Sequence, residues 1–277
     1  MSNTSSSFAS PIAFIGGGNM ASAIIGGLIR QGLPASQIEV VEPFEPARDA
    51  LRQNFGLAAQ PAPTAALARA GLVVWAVKPQ TFKDAAQQAA PHTRGALHLS
   101  VAAGIRSGSI AQWLGTERIV RAMPNTPALV GLGMTGLFAR PGVAAPERAQ
   151  VEQVVATTGA HLWVEEESQL DAVTALSGSG PAYVFYFLEA MTQAGMDMGL
   201  SREQAHQLSV GTFVGASELA RRSDEPPAVL RQRVTSKGGT THAAITHLQA
   251  QQVQEHFIAA MRAAEKRAQE LATEFGG

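Results

Sequence analysis

The first half of the chain alternates short apolar, β-branched runs with stretches whose apolar residues recur at helical spacing. The short runs are apolar on both faces, which is typical of strands in a sheet that is covered on both sides. The predicted strands are Ile12–Ile15, Ile38–Glu42, Leu72–Val77, Ala96–Val101, Ile119–Met123 and Thr135–Ala139, with a last one near Leu162–Val164. The predicted helices are Asn19–Gln31, Glu45–Asn54, Thr64–Arg69 and Gln80–Ala89. This alternation predicts a doubly wound α/β domain with a parallel sheet.

The pattern changes near residue 166, after which the strand-like runs stop. Helical patterns follow over Pro181–Met198, Arg202–Arg222, Ala228–Val234, Thr240–Ala250 and Val253–Phe275, separated by breaks that contain glycine or proline. We therefore predict an α/β domain over residues 1–165 and an all-α domain over residues 166–277. The helix that begins at Pro181 is apolar around much of its circumference, which indicates burial within the domain or against another subunit.

Composition narrows the classes of function. The chain has 277 residues, a formal charge of −1 and 45% apolar residues, which fits about two globular domains and gives no case for nucleic acid or an anionic membrane as a partner. It has no cysteine, so disulfides, thiolate catalysis and cysteine-ligated metals are excluded. No apolar run reaches the roughly 18 residues of a membrane span. The Ser-rich first ten residues lack the features of a signal peptide, and we expect a cytoplasmic protein.

A glycine-rich turn follows the first predicted strand and opens the first predicted helix. It reads Gly16-Gly17-Gly18-Asn19-Met20, and Ala21 completes a Gly-x-Gly-x-x-Ala pattern. In a dinucleotide cradle, Gly16 permits the tight turn, Gly18 lets a pyrophosphate approach the backbone, and Ala21 keeps the helix close to the sheet. The alternative is a strand-to-helix turn that needs glycine for steric reasons alone. The position within an α/β pattern favours nucleotide binding.

Glu42 ends the second predicted strand, 21 residues after Ala21. An acidic side chain at this point accepts hydrogen bonds from the adenosine ribose and repels a 2′-phosphate. Arg48, six residues later, would offset that repulsion. The alternative is that Glu42 is an exposed charge at a strand end. The cofactor is therefore NADP(H) or NAD(H), with a preference for NAD(H).

Three further strand ends are expected to line the cofactor crevice, because ligands of open α/β sheets bind beyond the carboxyl ends of the strands. They are Ala76-Val77-Lys78-Pro79, the Ser100–Gly104 segment with Ala103, and the Met123–Pro127 segment with Asn125. Lys78 either reaches a phosphate or substrate or is a solvated loop lysine. Small residues and backbone groups in the other two segments suit a flat nicotinamide ring, although Asn125 also fits the role of a simple turn-former.

A second glycine-rich segment, Val234–Thr241, opens the helical pattern Thr240–Ala250. Gly238 and Gly239 let the backbone turn sharply. The N–H groups near the helix start would then face an anion such as a carboxylate. The alternative is an ordinary N-cap, since Ser and Thr are favoured there.

Taken together with Leu176–Tyr183, these motifs resemble those of pyrroline-5-carboxylate reductases, and the resemblance extends from about residue 11 to residue 275. It implies a Rossmann-like domain followed by a helical dimerisation domain, with homodimers that assemble further into a decamer. It also implies hydride transfer from NAD(P)H to the C=N bond of 1-pyrroline-5-carboxylate, which gives L-proline and completes proline biosynthesis.

The resemblance assigns substrate binding to Ser236, Gly238, Gly239, Thr240 and Thr241. Ser236 and Thr241 contact the reacting molecule, with the Thr241 hydroxyl near the ring nitrogen. An imine nitrogen carries a proton near neutral pH, so orientation and electrostatics are expected to carry the rate and no metal is expected.

One departure from the family concerns Lys237, where the family often has proline. Proline would stiffen the loop, whereas lysine leaves it freer and adds a cation, unless Lys237 simply points to solvent.

Two other classes share parts of this pattern. Another imine reductase or a β-hydroxyacid dehydrogenase would share the first domain, but the latter needs a catalytic lysine on a helix of the second half. The only lysines after residue 83 are Lys237 and Lys266, and neither lies in that context. A nucleotide sensor would keep the first glycine turn without needing the Ser236–Thr241 loop.

Overall fold

The structure, a computed structural model, describes residues 8–276. The chain divides into two compact units, one of which runs to Ser179 and also includes the chain from Ala264 onward, while the other is Gly180–Ala263. This division falls later than the domain boundary expected at residue 165. The reason is that the segment after the last strand packs on the sheet: a Cβ on Gly136 would lie 2.7 Å from Val173 Cγ1.

The first unit is built on a seven-stranded sheet of order β2-β1-β3-β4-β5-β6-β7. The strands are β1 (Ile12–Ile15), β2 (Ile38–Val41), β3 (Leu72–Trp75), β4 (Leu97–Ser100), β5 (Ile119–Met123), β6 (Gly133–Ala139) and β7 (Gly159–Trp163). Every neighbouring pair is parallel except β5 and β6, which pair antiparallel. The connection from β5 to β6 is a loop over residues 124–132 that contains one 3₁₀ turn, Thr126–Val130, and it is shorter than the crossover that parallel pairing requires.

Six helices accompany the sheet strands in this unit, and the last of them, α6, follows β7. They are α1 (Asn19–Arg30), α2 (Glu45–Phe55), α3 (Pro79–Thr93), α4 (Ser107–Leu114), α5 (Ala145–Val155) and α6 (Gln169–Val173). The sequence pattern did not predict α4, α5 or α6. The expected helix Thr64–Arg69 is a 3₁₀ turn over Ala65–Arg69. Thr64 caps its start, since Thr64 Oγ1 accepts from the Ala66 N–H at 3.3 Å.

Two apolar clusters cover the two faces of the sheet. Side chains of β1 alternate between them: Ile12 and Phe14 join one cluster, while Ala13 and Ile15 join the other. All four are buried, which explains why the strand is apolar at every position. The doubly wound sheet that the sequence predicts is confirmed, and it places the carboxyl ends of β1–β5 where a cofactor would bind.

The second unit is helical, as expected. Its helices are α7 (Gly180–Asp197), α8 (Arg202–Arg222), α9 (Pro227–Arg233), α10 (Thr240–Ala250) and the first part of α11 (Val253–Phe275). Helices α7 and α8 pack closely through small residues, since a Cβ on Gly195 would lie 2.7 Å from Ala205 Cβ. Over residues 8–276, no helix has both the length and the apolar character needed to cross a membrane.

Candidate functional site

The first two glycines of the turn after β1 are required by the protein itself. Gly16 has φ +96°, a conformation that L residues rarely adopt, and a Cβ there would lie 2.5 Å from the carbonyl oxygen of Ala76. A Cβ on Gly17 would lie 2.7 Å from Leu51 Cδ1. Any side chain at either position would therefore displace a neighbour.

Gly18 differs from both. Its φ of −72° is open to any residue, and no heavy atom lies within 4 Å of the position that a Cβ would occupy. Gly18 is the N-cap of α1 and offers no side-chain cap, so the first N–H groups of the helix have no acceptor from that residue. Free donors and unfilled space at a helix start fit a pyrophosphate. Asn19 and Met20 form the first helical positions, where a contact with the nucleotide stays a prediction.

Glu42 follows β2 and holds the glycine turn in place. Its Oε2 accepts from the Gly17 N–H at 2.7 Å, and its Oε1 accepts from the Phe44 N–H at 2.8 Å. Arg48 lies on the same loop, where Nη1 donates to the carbonyl oxygens of Glu42 at 3.0 Å and Pro43 at 2.6 Å. The carboxylate is thus a tether between β2 and the turn. Its expected contact with the ribose stays a prediction.

A cavity of about 590 Å³ opens at this end of the sheet. Six of the expected cofactor residues line it: Gly16, Gly18, Glu42, Ala76, Val77 and Lys78. The Ala76 N–H donates to the carbonyl oxygen of Ile15 at 2.8 Å, which holds the two strand ends side by side. Lys78 is the N-cap of α3 and Pro79 is its first residue, so the chain leaves the strand at the cavity wall. The size suits a nucleotide site.

Asn125, expected near the nicotinamide, uses its side chain inside the protein. Nδ2 donates to the carbonyl oxygen of Ser177 at 3.1 Å and to its Oγ at 3.2 Å, while Oδ1 accepts from the Met134 N–H at 2.9 Å. The side chain therefore fastens the loop after β5 to β6 and to the Ser177 segment. Sequence reasoning offered Asn125 as a turn-former or a cofactor contact, and the structure adds this third role.

The Ser177 segment is a single π-helical turn, Thr174–Gly178, between α6 and α7. The Ser179 N–H donates to the carbonyl oxygen of Thr174 at 2.8 Å, five residues back. A Cβ on Gly178 would lie 2.5 Å from Met123 Cε, so this glycine lets the turn sit against the end of β5. Such π turns occur frequently at functional sites.

A buried ion-pair network, which sequence reasoning missed, supports the loop after β4. Arg121 on β5 donates through Nη1 to Glu167 Oε1 at 2.7 Å, and Glu167 also accepts from the Ser107 N–H at 2.6 Å. Burial alone would raise the pKa of Glu167, but the hydrogen bond from Ser107 and the charge of Arg121 outweigh it and lower that pKa. Arg106 pairs with Asp171, with 2.6 Å between Nη2 and Oδ2. Nothing in the local pattern predicts these contacts, because their partners are 46 to 65 residues apart.

His98 on β4 is buried in the core and bonded to a neighbouring strand. Trp75 Nε1 donates to His98 Nδ1 at 3.0 Å. Burial, followed by the charge of Arg118, lowers the pKa of His98 from 6.5 to about 4. The imidazole is therefore neutral near pH 7 and acts as a structural acceptor.

The second glycine-rich segment forms the start of α10 in the helical unit. Gly238 has φ +77°, and the N-cap Gly239 donates its N–H to the carbonyl oxygen of Ser236 at 3.0 Å. The positive φ favours glycine at position 238, and a Cβ on Gly239 would lie 2.8 Å from Ser236 Oγ, so a side chain there would displace the serine hydroxyl. Lys237 is exposed.

The start of α10 has no side-chain cap. In an ordinary N-cap, a side-chain oxygen of the cap residue accepts a hydrogen bond from an N–H of the first turn, and Gly239 has no side chain to do so. Thr241 is half-buried and Thr240 is exposed. The N–H groups of the first turn thus remain available to an anion, which is the arrangement expected of a carboxylate site.

Comparison with known proteins covers both units. Residues 167–271 match the family described as pyrroline-5-carboxylate reductase dimerisation, and residues 11–104 match that described as NADP oxidoreductase, coenzyme F420-dependent. The chain is 46% identical over 267 residues to a pyrroline-5-carboxylate reductase of Pseudomonas aeruginosa, covering 96% of this chain and 98% of the relative. It is 41% identical to the enzyme of that name from Haemophilus influenzae, covering 95% and 98%.

Solved structures agree with this. The pyrroline-5-carboxylate reductase of Coxiella burnetii superposes with a TM-score of 0.88 at 39% identity, covering 96% of this chain and 99% of that one. The pyrroline carboxylate reductase of Plasmodium falciparum, solved with NADP bound, gives a TM-score of 0.85 at 27% identity, covering 95% and 98%. The chain belongs to the pyrroline-5-carboxylate reductase family.

Proposed function

We propose that the chain reduces the C=N bond of 1-pyrroline-5-carboxylate to give L-proline, and that its two glycine-rich segments divide the work. The relatives that match almost the whole chain carry this activity in their names. The β-hydroxyacid dehydrogenase alternative lacks support, because Lys237 lies in an exposed loop before α10 and Lys266 lies on an exposed part of α11.

The nucleotide would lie in the cavity beside the glycine turn. Gly18 and the start of α1 would hold the pyrophosphate, while Glu42, which keeps the turn in place, would face the ribose. Lys78 would add a positive charge at the cavity wall. The observation that carries this assignment is the open space beside Gly18. Neighbouring atoms crowd Gly16 and Gly17, whereas nothing in the protein fills the space beside Gly18. When bound, NAD(P)H supplies the hydride.

The substrate carboxylate would lie at the uncapped start of α10. The N–H groups of Thr240 and Thr241 donate to it, and the Gly238-Gly239 turn keeps that approach free of side chains. The Thr241 hydroxyl would contact the ring nitrogen and hold the protonated imine in the orientation that favours transfer. Ser236 completes the anion-binding loop.

Assembly follows from the same family match. Since residues 167–271 match a dimerisation domain, the chain forms an oligomer. Large apolar side chains of α7 support a homodimer through this unit: Phe185 is 58% exposed and Tyr186 is 71% exposed in the single chain. A decamer of such dimers and a cytoplasmic location are further parts of the proposal. Light scattering that shows a stable, active monomer would contradict the dimer.

The activity is tested by following NADPH and NADH oxidation on addition of 1-pyrroline-5-carboxylate. We expect oxidation that is stoichiometric with proline, measured by amino-acid chromatography. A β-hydroxyacid tested with the oxidised nucleotide serves as the control for the alternative class and should give no reduction. If pyrroline-5-carboxylate gives no proline while another imine or a hydroxyacid is turned over, the assignment is wrong.

A further inference from the structure

We propose that the C-terminal end of α11 is a positioning element for the loop after β4, the Val101–Arg106 loop that contains Ala103. This inference rests on the proposed function, because it concerns the loop that we expect to contact the nicotinamide. Leu271 and Phe275 are its positioning residues. They act on the loop from behind and need not touch the cofactor themselves.

The first observation is the chain path. The residues from Ala264 onward belong to the same compact unit as the sheet, although the preceding residues Gly180–Ala263 form the other unit. Ala268 and Ala272 are buried there, and Phe275 packs against the apolar cluster on one face of the sheet. The last turns of α11 are thus part of the α/β unit.

The second observation is the close approach of α11 to the loop. Gly104 has φ +72°, and a Cβ there would lie 3.2 Å from Leu271 Cβ and 3.6 Å from Phe275 Cδ2. Only a residue without a side chain fits comfortably between the loop backbone and the helix. The helix therefore limits how far the loop can move toward α11 at Gly104, the residue next to Ala103.

The third observation is that both ends of the contact are fastened. Ser109 Oγ on α4 donates to the carbonyl oxygen of Gly276 at 2.5 Å, which ties the end of the chain to the helix that follows the loop. Where the loop ends, Arg106 pairs with the 7%-exposed Asp171, and Ser107, the first residue of α4, donates to Glu167. The loop is thereby held on one side by ion pairs and on the other by apolar contacts with α11.

The consequence concerns the chemical step. Hydride transfer depends steeply on the geometry of the reacting atoms, and a displacement of about 1 Å can cost roughly a hundredfold in rate. The ADP part of the nucleotide lies at the glycine turn in our proposal, in a cavity whose lining includes no residue of α11. Loosening the contact should therefore slow transfer without weakening the hold on the ADP part.

The test compares Leu271→Ala with Leu271→Met and with Gln269→Ala, an exposed position on the same turns of α11. We expect Leu271→Ala to lower kcat by about tenfold, in line with a sub-ångström displacement of the loop. The primary isotope effect with 4-deuterated NADPH should rise, and the Kd for 2′,5′-ADP should stay unchanged. Leu271→Met should restore most of kcat, and Gln269→Ala should match the wild type.

The second variant is a deletion of Phe275–Gly277, which tests the same contact if Leu271→Ala does not fold. It should lower kcat in the same direction at an unchanged Kd for 2′,5′-ADP. The proposal is overturned if both folded variants keep the wild-type kcat and isotope effect, or if they lose affinity for 2′,5′-ADP in proportion to kcat. A failure of the proposed function would look different, since the wild type itself would then form no proline.

Discussion

The two glycine-rich segments of this chain each place a glycine at the N-cap of a helix, but the surroundings of those two glycines differ. In the turn after β1, Gly16 and Gly17 are needed because the protein crowds them, whereas Gly18 faces open space. At the start of α10, Gly238 supplies a left-handed backbone and Gly239 leaves the helix without a side-chain cap. Both helix starts lack a side-chain cap and leave backbone donors unused, but only the first also has open space beside its N-cap glycine. The role of each glycine in such a motif therefore depends on the atoms that surround it.

The largest effect is expected at the second segment. Thr241→Ala keeps the backbone donors but removes the hydroxyl that we place at the reacting nitrogen. A lost hydrogen bond to a charged group costs about 1.5–3 kcal/mol, so kcat/KM should fall by roughly ten- to a hundredfold. Nucleotide affinity should not change. Thr241→Ser is the matched control and should retain most of the activity. If Thr241→Ala instead lowers the melting temperature and keeps normal kinetics, Thr241 belongs to the scaffold.

The next effect separates Gly18 from Gly16. Gly18→Val should lower nucleotide affinity by about tenfold or more, because overpacking typically costs about 1–3 kcal/mol when the branched side chain occupies the place of the pyrophosphate. Its melting temperature should stay near that of the wild type, since nothing lies within 4 Å of the new Cβ. Gly16→Ala should instead lose stability, with strain of about 1–3 kcal/mol at its positive φ. Unchanged nucleotide binding in folded Gly18→Val would remove the turn from the cofactor site.

The third prediction concerns His98, a buried residue on β4 of the sheet that carries the first segment. Burial lowers the pKa of His98 to about 4 in the folded protein, from the ordinary histidine value of 6.5. Between pH 4 and pH 6.5, His98 is therefore protonated in the unfolded chain but neutral in the folded protein. The stability that depends on neutral His98 is fully present above pH 6.5 and is lost as the pH falls toward 4. From pH 7 to pH 5 the loss should be about 2 kcal/mol.

Denaturant unfolding at both pH values measures this, with His98→Asn as the comparison. Asparagine keeps an acceptor for Trp75 but does not titrate. The difference between wild type and variant should shrink as the pH falls, because only the wild type loses the His98 contribution. A constant difference would show that His98 does not titrate as its burial implies.

The smallest effect sharpens the role of Glu42. Removing its charge should improve NADPH relative to NADH by about 1–2 kcal/mol, because the 2′-phosphate no longer meets a carboxylate. Glu42→Gln keeps an acceptor oxygen for one of the two N–H groups, whereas Glu42→Ser loses both the charge and the tether. Both variants should shift the ratio of specificity constants, and only the serine variant should also lower the affinity for both nucleotides. A ratio that does not move would place Glu42 away from the ribose.

Local signals explain where the sequence predicted the fold well. The bounds expected for α8, α10 and α11 are those observed. Helix α8 shows the reason, since Ser201 accepts from the Gln204 N–H at 3.2 Å and Gln204 Oε1 accepts from the Ser201 N–H at 2.9 Å. This capping box can be read directly from the sequence. The glycine turn was likewise predictable, because its pattern lies between a strand and a helix.

Two causes explain which elements the sequence did not predict: contacts between distant residues, and local signals that conflict. Helix α4 begins with Ser107 and Gly108, which are poor helix formers, and its start is held by Glu167, 60 residues away. Helix α5 contains Val151, Val154 and Val155, whose β-branched side chains favour strands although their spacing is helical. The tether from Glu42 to Gly17 and the contact of Gly104 with Leu271 join segments whose proximity only the folded chain establishes.

The most direct test of the division between the two segments is a crossed binding experiment. Calorimetric titration would measure NADPH binding to wild type, Gly18→Val and Thr241→Ala, and the same three proteins would be assayed for proline formation at saturating NADPH. We predict that only Gly18→Val loses nucleotide affinity and that Thr241→Ala loses turnover at full affinity. Equal loss of NADPH affinity in both variants, or normal turnover in Thr241→Ala, would contradict the account.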